Sequence, residues 1–413
     1  MSTLESFSSN RSLRFLLRIL AIIAGVAIAN IYYNQPLLNN ISHTFPHGAA
    51  WIGAIPTATQ IGFAAGMLLL APLGDRLDRR QIILWQIAGI CAALLAAATA
   101  PTLLVLIFAS LAIGVFATVA QQAGPFAAEL APTEQRGHAV GTVMSGLLLG
   151  ILLARTASGF VAEHFGWRIV FVAAIVSMLV LAIMVIRYLP SSKPASTLSY
   201  GKLIGSLWNL TVELRGLREA ALTGAALFAA FSLFWSVLSL LLARTPFNLG
   251  PQAAGLFGIV GAAGALTAPW AGKFADRRGP RTAISFAIGL VALSFVVFSL
   301  SGSSLVGLVA GVIVLDIGLQ VAQTPNQSRI FALRPEARAR VNTIYMVCYF
   351  AGGAVGSAAG IVAWQTCGWI GVCITGMMFS AIAAGSHFRG SWPALLSALP
   401  VGKNRAEDQG PSQ

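Results

Sequence analysis

The sequence has 413 residues, of which 57% are apolar and 9% charged. That composition excludes an ordinary water-soluble protein, and about twelve stretches of ~20 residues, the length that crosses a bilayer, would use most of the apolar content. The formal net charge of +13 is not read as a nucleic-acid signature, because the position of each basic residue matters more than the sum.

The first apolar stretch, residues 13–37, contains Asn30, Asn34 and Gln35. It has no small-residue cleavage site after a short core, so it is read as a retained span rather than a signal peptide. Five further spans are predicted at 50–72, 82–100, 102–128, 139–162 and 168–189. The polar connection 190–219 follows, with Ser191, Ser192, Lys193 and Pro194 and a weakly amphipathic piece from Leu203 to Leu217. Six more spans are predicted at 220–243, 252–272, 282–300, 304–328, 341–365 and 369–388. The organisation expected is a six-helix bundle over 1–189, a cytoplasmic linker over 190–219, a second six-helix bundle over 220–388 and a cytoplasmic tail over 389–413.

With the spans alternating, 23 of the 26 basic residues fall on one side, leaving Arg155, Arg168 and Arg244. The positive-inside rule then predicts that both termini are cytoplasmic and that the number of spans is even. Internal repetition supports the division into halves. Gly74-Asp75-Arg76 is matched by Ala275-Asp276-Arg277, Leu130-Ala131-Pro132 by Leu333-Arg334-Pro335, and Gly166-Trp167 by Gly368-Trp369. The offset is nearly constant, at 201 to 203 residues. Two parallel six-helix units related by an axis along the membrane normal place binding at their interface, near the midplane.

The segment Gly272-Lys273-Phe274-Ala275-Asp276-Arg277-Arg278-Gly279-Pro280-Arg281 resembles the GxLxDRxGR loop signature of the major facilitator superfamily. The first-half copy, Ala71 to Arg80, resembles it with Ala71 and Asp78 in place of the two glycines. The likeness covers nearly the whole chain. The run Asn30-Ile31-Tyr32-Tyr33-Asn34-Gln35-Pro36-Leu37-Leu38 resembles a first-span pattern of a bacterial branch near the drug:proton antiporters and the nucleoside and sugar exporters. The chain departs from the antiporter pattern at Ser110, where span 4 usually carries an arginine. It departs again at Arg155, which stands where span 5 usually carries a proline. The resemblance implies an all-α membrane protein of twelve transmembrane helices in two pseudo-symmetric bundles.

A charge at a helix centre in hydrocarbon costs ~2.5–3.5 kcal/mol on insertion scales, so intramembrane ionisable residues carry the first functional hypotheses. Asp316 lies about twelve residues into span 10, roughly 18 Å along a helix rising 1.5 Å per residue, and is the candidate proton carrier. Gln320, Gln323 and Gln327 share its helix face. On span 11 Asn342, Tyr345, Tyr349, Gly352 and Gly356 follow the same rhythm, and on span 1 Asn30 and Asn34 stack a turn apart. Asn30, Asn34, Gln320, Gln323, Asn342, Tyr345 and Tyr349 are the candidate substrate contacts. Helix packing or interfacial anchoring is an equal reading for the two tyrosines. Arg155 is expected to face inward, there to pair with Asp316 or to meet an anionic or carbonyl-bearing substrate; snorkelling to the interface is the alternative. Glu129 is read first as a solvated helix-end residue.

Asp75 and Asp276 end spans 2 and 8, where each carboxylate can meet a helix N-terminus of the other half, those of spans 11 and 5, and gain ~0.3–1 kcal/mol. These contacts would form only with the cytoplasmic side closed. Arg76, Arg79, Arg80, Arg277, Arg278 and Arg281 complete the expected gating set, with topology as their first role. The glycines Gly146 and Gly150, and Gly352, Gly356 and Gly360, are predicted to permit close helix packing. Cys91, Cys348, Cys367 and Cys373 have no metal-ligand spacing, the five histidines form no cluster, and no phosphate-binding GxxxxGKS/T loop is present.

The function expected is therefore a proton-coupled secondary transporter of the bacterial inner membrane, not an enzyme, with no cofactor and no metal. It would export a small organic molecule or drug by alternating access and act as a monomer. Its partners would be that small-molecule substrate, protons and the lipid bilayer. A sugar, nucleoside or metabolite transporter, including a proton symporter, is the alternative within the class, and a polytopic membrane enzyme the alternative outside it.

Overall fold

A computed structural model describes residues 10–192 and 200–389, and among these every regular element is helical. The first half holds α1 (Asn10–Ala29), α2 (Leu38–Thr44), α3 (Ala54–Leu69), α4 (Arg79–Ala98), α5 (Leu103–Ala117), α6 (Ala120–Leu130), α7 (Arg136–Phe165) and α8 (Trp167–Tyr188). A connecting helix, α9 (Tyr200–Glu213), follows. The second half holds α10 (Arg215–Leu242), α11 (Pro251–Arg278), α12 (Pro280–Leu300), α13 (Leu305–Leu333) and α14 (Arg338–Arg389). Nine described helical stretches are long and apolar enough to cross a membrane. One of them, α14, is two rods joined at Gly368, where the backbone leaves the helical region. Counting those rods separately and adding α1 and α11 gives twelve, in agreement with the spans read from the sequence.

The packing repeats as the sequence does. Helix α1 lies on α7 as α10 lies on the first rod of α14, α3 on α5 as α11 on α13, and α4 on α8 as α12 on the second rod of α14. The halves meet through α3 against α14 and α7 against α11. Glycine allows the tightest crossings. A Cβ on Gly25 of α1 would stand 2.6 Å from the Gly146 carbonyl oxygen of α7, and one on Gly360 of α14 would stand 2.9 Å from the Leu233 carbonyl oxygen of α10. Small residues let backbones approach where lipid gives no hydrophobic drive between helices.

The repeated Gly-Trp pair is a helix stop. Gly166 and Gly368 have φ of 86° and 61°, a region in which a side chain is strained. In the loop signature, Gly279 likewise has φ 86°, whereas Asp78 at the matching place has φ −59° and caps α4 instead. Its carboxylate accepts from the backbone N–H of Arg80 at 2.9 Å and of Ser192 at 3.0 Å. Side-chain capping thus makes the turn that glycine makes in the second copy.

Three boundaries differ from the sequence reading. The first span does not run unbroken to residue 37: α1 ends at Ala29, turns follow, and Gln35–Leu37 form a 3₁₀ turn. Asn30 donates to the carbonyls of Val26 and Ala27 at 2.9 and 3.2 Å, a local bond that competes with the helix, and Pro36 has no N–H with which to resume it. Helix α9 fills much of the predicted linker and buries Leu203, Leu207 and Leu210 on one face. Helix α10 begins at Arg215 rather than at 220. Lys193 and the tail beyond Arg389 lie outside the described residues.

The start of α1 meets the end of α8, where Phe15 packs on Tyr188, and α9, which leads into α10 beside Arg389, bonds to the end of α3 through Tyr200 at 2.9 Å; this common end of the helices is the terminal face. The halves touch at the opposite face. There Gln365 donates to the Ala50 carbonyl at 3.0 Å, Thr156 to the Gly255 carbonyl at 3.0 Å, and the Gln252 N–H to Glu163 at 3.3 Å. Toward the terminal face, residues 132–138 at the start of α7 are exposed, and a Cβ on Gly137 or Gly141 would meet nothing within 4 Å. The interface is shut at one face and parted at the other.

Gly150 tests the role of close approach, because a Cβ there would lie 2.5 Å from the Gly25 Cα. Gly150→Val is expected to destabilise the protein by about 1–3 kcal/mol through overpacking, and Gly141→Ala, at an open helical position, to leave it unchanged or up to ~1 kcal/mol more stable, as read by thermal unfolding in mild detergent.

Candidate functional site

A cavity of about 120 Å³ lies between the halves. Arg155 of α7 and Asp316 of α13 both line it, with Tyr32, Phe228, Phe231, Gln320, Gln323 and Tyr349 among the other walls. Helix α11 supports both charged residues through glycines one turn apart. A Cβ on Gly258 would stand 3.1 Å from the Arg155 Cβ, and one on Gly261 would stand 3.1 Å from Asp316 Oδ1. Gly255, Gly258, Gly261 and Gly264 recur every third residue along α11, and this track lets α7 and α13 close on it from either side.

Arg155 does not snorkel. It is 2% exposed, and its Nε donates to Gln35 Oε1 at 2.7 Å. The guanidinium carbon lies 4.0 Å from the ring centre of Trp235, 4.7 Å from Tyr32 and 5.7 Å from Phe231. Each desolvated cation–π contact is worth roughly 0.5–2 kcal/mol, which offsets part of the cost of keeping a permanent cation out of water. Gln35 and Tyr32 reach the cation because the chain leaves the helix after Ala29. At the matching place in the second half the charge is absent: buried Ser357 accepts from Ser236 at 2.9 Å.

Arg155 and Asp316 share the cavity without bonding to each other; among the described residues no ion pair within 4.0 Å joins them. Nη2 of Arg155, Oδ2 of Asp316 and Nε1 of Trp235 are buried with no hydrogen-bond partner among the described residues. Buried polar groups are ordinarily paired, so the chamber that Arg155 and Asp316 line holds one donor and one acceptor available to a guest. Its apolar wall is aromatic: Tyr349 stacks on Phe228 at 4.0 Å, and Phe228 on Phe231 at 5.6 Å.

The other residues singled out from the sequence divide. Gln320, Gln323 and Tyr349 line the chamber. Asn30 and Asn34 turn into the first half, Asn30 towards Met178 and Asn34 donating to Thr59 at 2.9 Å. Tyr345 is buried beside Asn326, whose amide lies 3.4 Å from its hydroxyl. Asn342 lines a separate cavity of about 140 Å³ with Arg79, Arg340 and Gln122, bordered by Leu203 and Leu207 of α9. A periodic stripe names a face of a helix but not the neighbour that the face meets: Asn30, Asn34 and Tyr345 meet their own bundles, whereas Tyr349 and Asn342 reach the two cavities between the halves. Gln35, Trp235 and the α11 glycines had no weight in the sequence reading; the three-residue glycine period was the available signal.

At the terminal face Arg79 is buried and pairs with Glu129 at 3.3 Å while reaching Gln122 at 3.3 Å, so Glu129 is a bonded helix-end residue. Arg80 donates to the Ile186 carbonyl at 2.5 Å. Arg76, Asp276, Arg277, Arg278 and Arg281 are exposed. The side chain of Asp75 lies outside the described residues.

Residues 19–357 match the Major Facilitator Superfamily. The chain belongs to that superfamily. It is 41% identical, over 89% of its length and 93% of the relative's, to the uncharacterized transporter YgaY of Escherichia coli O157:H7. It is 35% identical to the probable transporter SCO4007 of Streptomyces coelicolor, over 88% of this chain and 85% of that one. Among solved structures it resembles a bacterial homologue of the human lysosomal transporter Spinster in an inward-facing and occupied conformation. The TM-score is 0.70 at 16% identity, covering 93% of this chain and 98% of the other. This superfamily member is a multi-pass membrane transporter of small molecules.

The parted interface is open to a direct check in a variant lacking native cysteines. Ala50→Cys with Gln365→Cys is expected to crosslink readily with a short bismaleimide in substrate-free membranes, and Arg136→Cys with Asp276→Cys is expected not to. Mobility of the denatured chain on a gel reads the outcome.

Proposed function

We propose that this transporter is a proton-coupled exporter of a small organic molecule, working as a monomer in the bacterial inner membrane. The observation that carries the reading is the pairing of an unbonded carboxylate oxygen on Asp316 with an unbonded guanidinium nitrogen on Arg155 in one chamber between the halves. A carboxyl group that changes surroundings as the halves rock can change its protonation, and a permanent cation nearby orients a guest or steadies the ionised carboxylate. Export rather than import follows the likeness of the first-span run to drug:proton antiporters. The inner membrane follows from bacterial relatives, and cytoplasmic termini from the basic residues on the terminal face.

Alternating access requires two states with different contacts. Supporting contacts exist for one: the opposite face is shut by the α7–α11 and α3–α14 crossings. In the other state Asp75 and Asp276 would dock at the helix N-termini of the partner half, and the arginines around them would close the terminal face. Gln320, Gln323 and Tyr349 are the proposed substrate contacts, with Asp316 as proton carrier and Arg155 as its electrostatic partner.

Proteoliposomes loaded with a pH dye and exposed to a panel of drugs, nucleosides and sugars test the reading. Asp316→Asn is expected to abolish substrate-driven pH change while keeping part of the exchange of bound substrate, and Arg155→Ala to lose coupled transport. Unchanged coupling in Asp316→Asn would remove that residue from the mechanism.

A further inference from the structure

A recess larger than the central chamber, about 470 Å³, opens where the start of α10 meets the end of α14. Arg215, Arg218 and Arg389 line it together with Leu222 and Ile382. The order along the helices matters. Leu222 stands seven residues inward from Arg215 on α10, and Ile382 seven residues inward from Arg389 on α14, which is ~10 Å at 1.5 Å per residue. Both apolar side chains are exposed, at 53% and 46%. The recess thus changes from cationic at the helix ends to apolar two turns deeper, the same sequence of chemistry as a bilayer leaflet from headgroup to acyl chain.

The charges facing it do not balance. Glu219 is the one acid among its lining residues, and its carboxylate accepts from Arg215 at 3.0 Å. Arg218 donates from Nη1 to the carbonyls of Thr211, at 3.0 Å, and Val212, the last turn of α9, so it also satisfies the open end of that helix. Arg389 is exposed. Guanidinium groups suit phosphate oxygens because of their planar fork of donors, and basic pockets between membrane helices on the cytoplasmic side hold anionic headgroups.

We propose that this recess is a binding site for an anionic phospholipid, with the headgroup phosphate held by Arg218 and Arg389 and an acyl chain laid along Leu222 and Ile382. Arg218 then couples the lipid to α9, the helix that borders the cavity at the parted face. A topology signal alone would need only the charges; it would not need the exposed apolar walls beneath them.

Native mass spectrometry of the full chain in a non-ionic detergent, titrated with phosphatidylglycerol and with phosphatidylcholine of the same acyl chains, tests the site. The expected result is retention of phosphatidylglycerol at least ten-fold over phosphatidylcholine. The double variant Arg218→Gln, Arg389→Gln should lose that preference, Arg136→Gln should keep it, and millimolar inorganic phosphate should not displace the lipid. Equal retention of the two lipids, or an unchanged preference in the double variant with an unchanged melting midpoint, would overturn the proposal. Displacement by inorganic phosphate alone would assign the arginines to a soluble anion and overturn it as well. If the double variant melts earlier, Leu222→Gln with Ile382→Gln gives the second reading: loss of phosphatidylglycerol retention supports the site, and full retention contradicts it.

Discussion

A permanent cation at the centre of a membrane bundle has to be solvated by the protein, and the arrangement around Arg155 follows from that requirement. The residue comes from α7 in the first half, yet two of the three rings that face it, Phe231 and Trp235, belong to α10 in the second. The remaining partners, Tyr32 and Gln35, come from the segment where the first span stops being a helix. A single guanidinium therefore ties both bundles to the chamber wall. Any rocking of one half against the other has to exchange some of these contacts for others, which makes the cation sensitive to the access state.

Asp316 stands in the same chamber under a different constraint. Its backbone is pressed against α11 at Gly264, where a Cβ would come within 2.7 Å of the Asp316 Cβ, and the carboxyl group emerges over Gly261. The glycine track fixes where the acid sits, while one of its oxygens has no partner. Held position with an unmet hydrogen bond leaves a group free to respond to a proton or a guest. The matching place to Arg155 in the other half carries a neutral serine pair, so the pseudo-symmetry that builds the fold is broken at the chamber.

Much of the architecture was legible in the residues. The near-constant offset between repeated loops foretold the matched packing of the halves, because equal segments with equal stop signals, such as Gly166 and Gly368, fold into equal units. The inward face of α13 was legible too, since Gln320 and Gln323 share the chamber with Asp316. The first span was not. A stripe such as Asn30 and Asn34 has meaning only while the helix keeps its phase, and Asn30 ends that phase by bonding to its own preceding turn. Gln35 then arrives at Arg155 from a 3₁₀ turn whose direction no helical period encodes. Trp235 was hidden for another reason: α10 is apolar around much of its circumference, so nothing in its pattern marks one ring above another.

The proposal stands or falls on whether Asp316, in the chamber it shares with a fixed cation, gains and loses a proton. pH-difference infrared spectroscopy of the purified protein in lipid reads this without any substrate. The account predicts a carboxyl C=O band that rises and falls between the pH of the cytoplasm and that of the exterior in the parent protein, and that is missing from Asp316→Asn. A spectrum in which the parent and the variant are the same across that range would contradict it.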